Sequence, residues 1–314
     1  MRRRELGATG LEVSELGLGT WGLCGDGYGP VEEGEQDRVI ERARAAGITT
    51  FETADSYAYG EMEARLGRLL GDDPALHVVT KLGTSREARV PRKRFDRAFL
   101  GQAFDRSQER LRRDCVSLVL LHNPSASALE RGEATSLMKE LREAGRIRAW
   151  GVSAGSPAAA RAAIDQGAQV IELAYNPFCT SLLRELEPAI DSQRVGLLVH
   201  SVLAYGLLCG TWSSDKQFPV GDHRSERWTA DELRLRIRQL DALRPLLGKD
   251  VPSLRAAALR YALTNPRVGC AVLGPRSAGQ LDQLVREAGR GPPYLPRAKM
   301  AALESRLSAF DPQL

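Results

Sequence analysis

The chain predicts an α/β fold, a closed (β/α)8 or TIM barrel, and three observations point there. Eight short apolar runs rich in Val, Leu and Ile recur along it, each followed by a stretch of helical periodicity. The runs are near-continuous rather than alternating, as in strands buried on both faces of a parallel sheet. A length of 314 residues suits one such barrel, and no linker marks a second domain, so residues 1–314 are expected to form a single barrel domain.

The elements follow in order. The opening ELGATGLEVSELGLGTWG holds two extended pieces around Gly7-Ala8-Thr9-Gly10, an N-terminal β-hairpin, and then a Gly-punctuated strand at 16–20. A helical pattern at 34–46 leads to a strand at 48–51, one at 61–70 to LHVVTK (76–81), and one at 95–112 to CVSLVLLH (115–122). Helices near 133–144, 156–166 and 180–192 lead to IRAWGVS (147–153), AQVIEL (168–173) and VGLLVHS (195–201). A helix at 252–264 precedes VGCAVLG (268–274), and another at 277–288 follows it. Segment 204–250 exceeds an ordinary βα connection, as lids and binding loops do. Residues 291–314 read as a tail with a C-terminal extra helix. An open doubly wound sheet is the alternative, but no GxGxxG follows the first strand.

Composition narrows the class of function. Apolar residues make up 43% and charged residues 27%, enough for a core and mixed enough in sign to disfavour disorder. The net charge of +4 is spread along the chain, so no nucleic-acid partner is indicated. Pro91-Arg92-Lys93-Arg94 reads as a solvated loop before a helix, or as a small basic patch. Cys24, Cys115, Cys179, Cys209 and Cys270 are odd in number and free of CxxC spacing, which suggests reduced packing thiols in a cytoplasmic protein with no metal site. The N-terminal MRRRELGATG lacks an apolar stretch after its charges, so no signal peptide is expected. No apolar run approaches the roughly 18 residues of a membrane span.

Polar residues fall where such a barrel does chemistry, at the C-terminal ends of its strands. Glu52 follows the second strand, Lys81 ends the third and His122 the fourth. Ser153 ends the fifth, Glu172 lies late in the sixth, and His200-Ser201 end the seventh. Lys81 stands out because the chain holds six lysines against 38 arginines. A buried lysine can shift its pKa where an arginine cannot. Taken singly, Lys81 is equally a salt-bridged packing residue, His122 a hydrogen-bonded core histidine, and Tyr57 a loop aromatic covering apolar surface. His77 and His223 lie away from strand ends and receive no role. Taken together the group suits one task. A phenol has a pKa of about 10, and a neighbouring ammonium lowers it. A carboxylate would hold the ammonium, and a histidine would donate to a substrate carbonyl.

FETADSY, VVTKLG, LLHNP, WGVS, AYNP, SVLAYGLLCG and VLGPRSAGQL follow the opening hairpin in order. With it they resemble the aldo-keto reductases, NADPH-dependent (β/α)8 barrels, over nearly the whole chain. The resemblance implies Tyr57 as general acid, Lys81 depressing its pKa, His122 orienting the carbonyl, and Glu52 beside Lys81 where the family usually has aspartate. The hydride would come from the nicotinamide of NADPH. Gly19, Thr20 and Trp21 would border the cofactor. Ser153 and Glu172 would meet its carboxamide, and His200 its ring. Ser201, Leu203 and Gly206 would hold the pyrophosphate, and Gly274, Arg276 and Gln280 the 2′-phosphate. Departures surround the cofactor: Glu52 for aspartate, Ala154 for asparagine, Glu172 for glutamine, and Gln283-Leu284 for Glu-Asn. Each lost hydrogen bond costs roughly 1 kcal/mol. Arg276 is the remaining reason to expect NADP(H) over NAD(H).

The implied reaction is NADPH-dependent reduction of an aldehyde or ketone, a small-molecule carbonyl, to an alcohol. The alternative is chemistry without net redox in specialised or sugar metabolism: epimerisation, dehydration or cyclisation. A third reading is a redox-sensing or partner-binding subunit. An imine-forming aldolase is disfavoured because Glu52 would keep Lys81 protonated. Specificity would come from loops 22–30, 83–94 and 204–228. Trp21, Tyr28, Trp212 and Trp228 are candidate walls there, the last two alternatively loop anchors. Arg86, Arg89 and Arg92 hint at an anionic or polyhydroxylated substrate. A monomer or small homo-oligomer is expected.

Overall fold

The structure is a computed structural model that describes residues 1–86 and 90–310, with side chains as far as 307. A hairpin of β1 (Arg3–Glu5) and β2 (Glu12–Ser14) comes first, with Arg4 opposite Val13. The barrel begins with β3 (Leu16–Gly19), β4 (Thr50–Glu52) and β5 (His77–Leu82). A short antiparallel hairpin follows, β6 (Thr84–Ser85) with β7 (Arg92–Lys93). The barrel resumes with β8 (Val116–His122), β9 (Ile147–Ser153), β10 (Val170–Ala174), β11 (Gly196–His200) and β12 (Val268–Leu273). These eight parallel strands close, β12 returning to β3.

Helices α1 (Glu33–Ala45), α2 (Glu61–Leu70), α3 (Arg97–Leu111), α4 (Ala126–Glu130), α5 (Glu133–Glu143), α6 (Pro157–Asp165) and α7 (Ser181–Gln193) link the first strands. Then come α8 (Ala230–Gln239) in the long segment, α9 (Leu254–Thr264), α10 (Ala278–Ala288), and α11 (Arg297–Phe310) in the tail. Their starts are locally encoded. Asp96, Ser156, Thr229, Ser253 and Ser277 each accept a backbone N–H from the first turn of their helix, satisfying donors that helix geometry leaves without partners.

Two expectations need correction. The second barrel strand runs 50–52 rather than 48–51, so Glu52 is its last residue and pairs with Gly19 and Val79 instead of following the strand. Arg92 and Lys93 belong to a paired hairpin rather than to a plain solvated loop, because Thr84 and Ser85 offer them a backbone partner.

The core has two layers. Leu18, Phe51, Val78, Val119, Trp150, Ile171 and Val199 point outward into the helix mantle. Val79, Leu118, Leu120, Ala149, Val170, Leu198, Cys270 and Val272 point into the barrel, and Leu6, Leu11 and Val13 of the hairpin pack with them. The hairpin therefore plugs the N-terminal end. Ser14 and Thr49 exchange hydrogen bonds of 3.1 and 2.9 Å there. His77, without a role from its sequence position, reaches Glu12 O at 3.1 Å in the same place. Among the described residues, no helix is long and apolar enough to cross a membrane.

Candidate active site

Period-two alternation carries the inward face of each strand from apolar residues to a polar one at its C-terminal end. Val79 gives way to Lys81, Leu120 to His122, Gly151 to Ser153, Val170 to Glu172 and Leu198 to His200. Register keeps these ends level: His122 pairs with Ser153, Ser153 with Glu172, and Glu172 with Leu198. They floor a cavity of about 680 Å³, within the range of small-molecule and cofactor sites.

Glu52, Tyr57, Lys81 and His122 all line this floor, as do Gly19 and Trp21. The pair Ser153 and Glu172 and the run His200, Ser201, Leu203 and Gly206 continue it toward Gly274, Arg276 and Gln280 at the far end. Thr20 does not line it: its hydroxyl is buried and donates to Thr53 Oγ1 at 3.0 Å. Gln283 and Leu284 border the far end, so a neutral amide and an apolar side chain face the cavity there.

Tyr57 is delivered by a loop that stays bonded to the sheet. Thr53 N–H donates to Val79 O at 2.8 Å and Asp55 N–H to Lys81 O at 3.0 Å. The chain then turns through Ala58 and Tyr59, both at positive φ (45° and 56°), a conformation that non-glycine residues adopt at a cost. Lys81 Nζ lies 5.1 Å from the Tyr57 ring centroid, and the His122 ring stands edge-on to it at 6.2 Å. Lys81 Nζ also contacts Glu52 Oε1 and lies 3.8 Å from Glu172 Oε2.

Electrostatics depart from the sequence reading. The Tyr57 phenol is held well above 10 rather than lowered, first by burial and then by the Glu172 carboxylate. Lys81 sits over the ring face, and its charge is shared between two carboxylates. Burial pulls the Lys81 ammonium below the ordinary lysine value, opposed by Glu172. His122 is pushed well below 6.5 by burial and then by Lys81, Lys93 and His200, so the imidazole is neutral at pH 7.

Residues that sequence position did not reveal complete the surroundings. Lys93 Nζ donates to Thr84 Oγ1 at 2.7 Å, and that hydroxyl lies 3.4 Å from His122 Nδ1. Burial lowers Lys93 to about 8, with Asp55 opposing. Asn176 Nδ2 donates to Ser201 O at 2.9 Å, and His200 Nδ1 meets Ser201 Oγ at 2.9 Å, bracing the turn after β11. Only the surplus of lysine choice could have flagged Lys93 from sequence, and the basic run around it masked that signal.

The mouth is aromatic. Arg224, paired with Asp222, stacks at 4.9 Å on Tyr28, 4.8 Å on Phe218 and 5.6 Å on Trp212, joining the loop after β11 to the loop after β3. Trp21, Tyr28 and Trp212 line the cavity, whereas Trp228 packs behind, on Trp212 and Tyr205. Arg86 is paired with Asp26 and covers Tyr59 outside the cavity, and Arg92 is exposed on β7. Arg89 lies outside the described residues.

At the far end Arg276 donates to Gly22 O (3.2 Å), Gly29 O (2.9 Å) and Pro30 O (3.0 Å). These partners are neutral, so its positive charge is not cancelled by them. Glu35 accepts from Ala278 N–H at 2.8 Å and caps the start of α10.

The arrangement fits a dinucleotide on its polar atoms. Among the described residues, both Glu172 oxygens are buried without a hydrogen-bond partner, on a residue that borders a cavity ending at an arginine. The aldo/keto reductase family model matches residues 15–290. The chain is similar to the aldo-keto reductase YhdN of Bacillus subtilis, 29% identical across 92% of this chain and 89% of that protein. It is 28% identical to the NADH-specific methylglyoxal reductase of Escherichia coli, across 100% of this chain and 97% of the other. The solved glycerol dehydrogenase of Gluconobacter oxydans matches with a TM-score of 0.85 over 99% of this chain and 96% of its own, at 26% identity. With barrel, cavity and family match in agreement, the chain belongs to the aldo/keto reductase family of oxidoreductases.

Proposed function

We propose that the protein reduces an aldehyde or ketone to an alcohol with NADPH, Tyr57 donating the proton. The observation that carries this reading is the meeting of Tyr57, Lys81, Glu52 and His122 on one cavity floor. A bound nicotinamide would supply the hydride, a proton with two electrons, that the carbonyl carbon receives. Tyr57 remains a phenol at neutral pH, and its proton passes to the more basic alkoxide oxygen. His122, neutral, donates through Nε2–H to the same oxygen while its Nδ1 faces Thr84. Lys81, held by Glu52, offers positive charge beside the phenolate that forms. Ser153 and Glu172 would hold the carboxamide, and the turn Ser201–Gly206 the pyrophosphate. Arg276, cationic with neutral partners, favours the 2′-phosphate and hence NADPH over NADH.

The test is turnover of carbonyl compounds followed by NADPH absorbance and product mass. Tyr57→Phe is expected to lower kcat by about 10²–10⁴ while leaving the Kd for NADPH unchanged. Turnover equal to the parent protein's would overturn the assignment. A product of unchanged mass, with NADPH not consumed, would favour chemistry without net redox instead.

A further inference from the structure

The cavity floor holds two carboxyl groups and a single ammonium. Lys81, Glu52 and Glu172 are each no more than 6% exposed, and both carboxylates face the one ammonium. His122 and His200 are both shifted toward the neutral form, by burial first. Tyr57 is an uncharged phenol. Two carboxyl groups thus stand against one ammonium. Glu52 is the one in contact with Lys81, and Glu172 is the one held at a distance. At 3.8 Å its Oε2 is too far from Lys81 Nζ for a hydrogen bond, and neither oxygen finds another donor among the described residues. The backbone cannot relax this, because β10 is pinned at Glu172 between Ser153 and Leu198. A buried carboxylate without donors is costly. Glu172 borders the cavity although its oxygens are themselves covered, so it acts at short range on what enters there.

We propose that Glu172 sets the redox-state preference of the site, holding the oxidised, cationic nicotinamide ring more tightly than the reduced, neutral ring. The inference rests on the reductase reading above. Hydride transfer needs the ring within about 3–3.5 Å of the carbon whose oxygen faces Tyr57 and His122, which puts the ring on the same floor as Glu172. The two redox forms differ there by one positive charge and are otherwise alike in their phosphates, riboses and adenine. A glutamine of the same shape could accept the same carboxamide N–H without telling the two forms apart. A carboxylate at this position makes that distinction. In the reducing direction it strengthens the bound cofactor as a hydride donor and slows departure of the oxidised form.

The test titrates the full chain with NADP+, NADPH, NAD+ and NADH, following tryptophan fluorescence; Trp21 and Trp212 line the cavity. Within each pair the oxidised form is expected to bind at least about tenfold more tightly, the scale of one partly screened charge pair. Glu172→Gln should bring that ratio close to one. ADP-ribose and its 2′-phosphate, which lack nicotinamide, should bind both proteins equally and so report an intact fold. A parent ratio at or below one overturns the inference without any variant, as does a ratio that Glu172→Gln leaves unchanged. Folded protein that binds none of the four dinucleotides would overturn the reductase reading itself, and the inference with it.

Discussion

The Thr84 hydroxyl stands between an ammonium that donates to it and an imidazole nitrogen, so its own proton is free to point at His122 Nδ1. An imidazole that accepts this proton at Nδ1 carries its own N–H on Nε2, the atom available to a substrate oxygen. Thr84→Val should lower kcat by about tenfold, a share of the usual acid–base contribution, and move the 15N shifts of His122, while Thr84→Ser should keep both. Equal kcat in the valine variant would show that the tautomer is set elsewhere. Asp55 poses a different question at the same scale. Burial, then Glu63, raises its carboxyl from 3.8 to about 7, and its Oδ1 has no hydrogen-bond partner among the described residues. Both folded and unfolded chains are protonated below 3.8. As pH rises toward 7 the unfolded chain ionises first, and the folded state loses that relative stability. Asp55→Asn should therefore raise stability by on the order of 2 kcal/mol at pH 8 and much less at pH 4. Urea midpoints at the two pH values decide it; an equal effect at both would rule out ionisation as the cause. Gly19 shows how the longer acid fits: a Cβ there would lie 2.9 Å from Glu52 Oε2 and 2.8 Å from Val272 Cγ1.

Among the elements, β9 and β10 matter most to the site because they bring Ser153 and Glu172 side by side. Their approach depends on Gly151, where a Cβ would overlap the Val170 carbonyl. Gly151→Ala should destabilise the protein by about 3 kcal/mol, as overpacking against fixed backbone does. Unchanged denaturation would mean that the strands can separate at this point. The segment after β11 is held in another way. Its 204–210 turn carries Ala204 and Tyr205 at positive φ, and Arg224 ties the following loop to Tyr28 across the mouth. The loop thus has a fixed base and a stacked, cationic anchor.

For the molecule as a whole, the barrel separates stability from chemistry along its axis. Leu6, Leu11 and Val13 fill the closed end, and the layer above them ends at the polar floor. Leu11→Ala should cost about 2–5 kcal/mol of stability, the usual range for a buried leucine, with kcat preserved at temperatures where the protein stays folded. A large loss of kcat in folded protein would show that the plug and the floor are coupled.

The barrel and the place of its polar strand ends are already legible in the order of residues. Eight apolar runs with intervening helical patterns carry that information locally, and alternation within each run already assigns Lys81, His122, Ser153 and Glu172 to one rim. How these groups act on one another emerges only from the closed barrel. Spacing could not show that Lys81 serves two carboxylates, because Glu52 and Glu172 lie on opposite sides of it in the chain and meet only when the barrel closes. For the same reason the phenol of Tyr57 is raised rather than lowered: burial and the charge of Glu172 outweigh a lysine whose own charge is already shared. The Thr84–Lys93 contact and the engagement of Arg276 with the Gly22–Pro30 loop are likewise long-range. Strand and helix follow from neighbours in sequence, but pKa values and hydrogen-bond partners follow from distances, and those exist only in the closed fold.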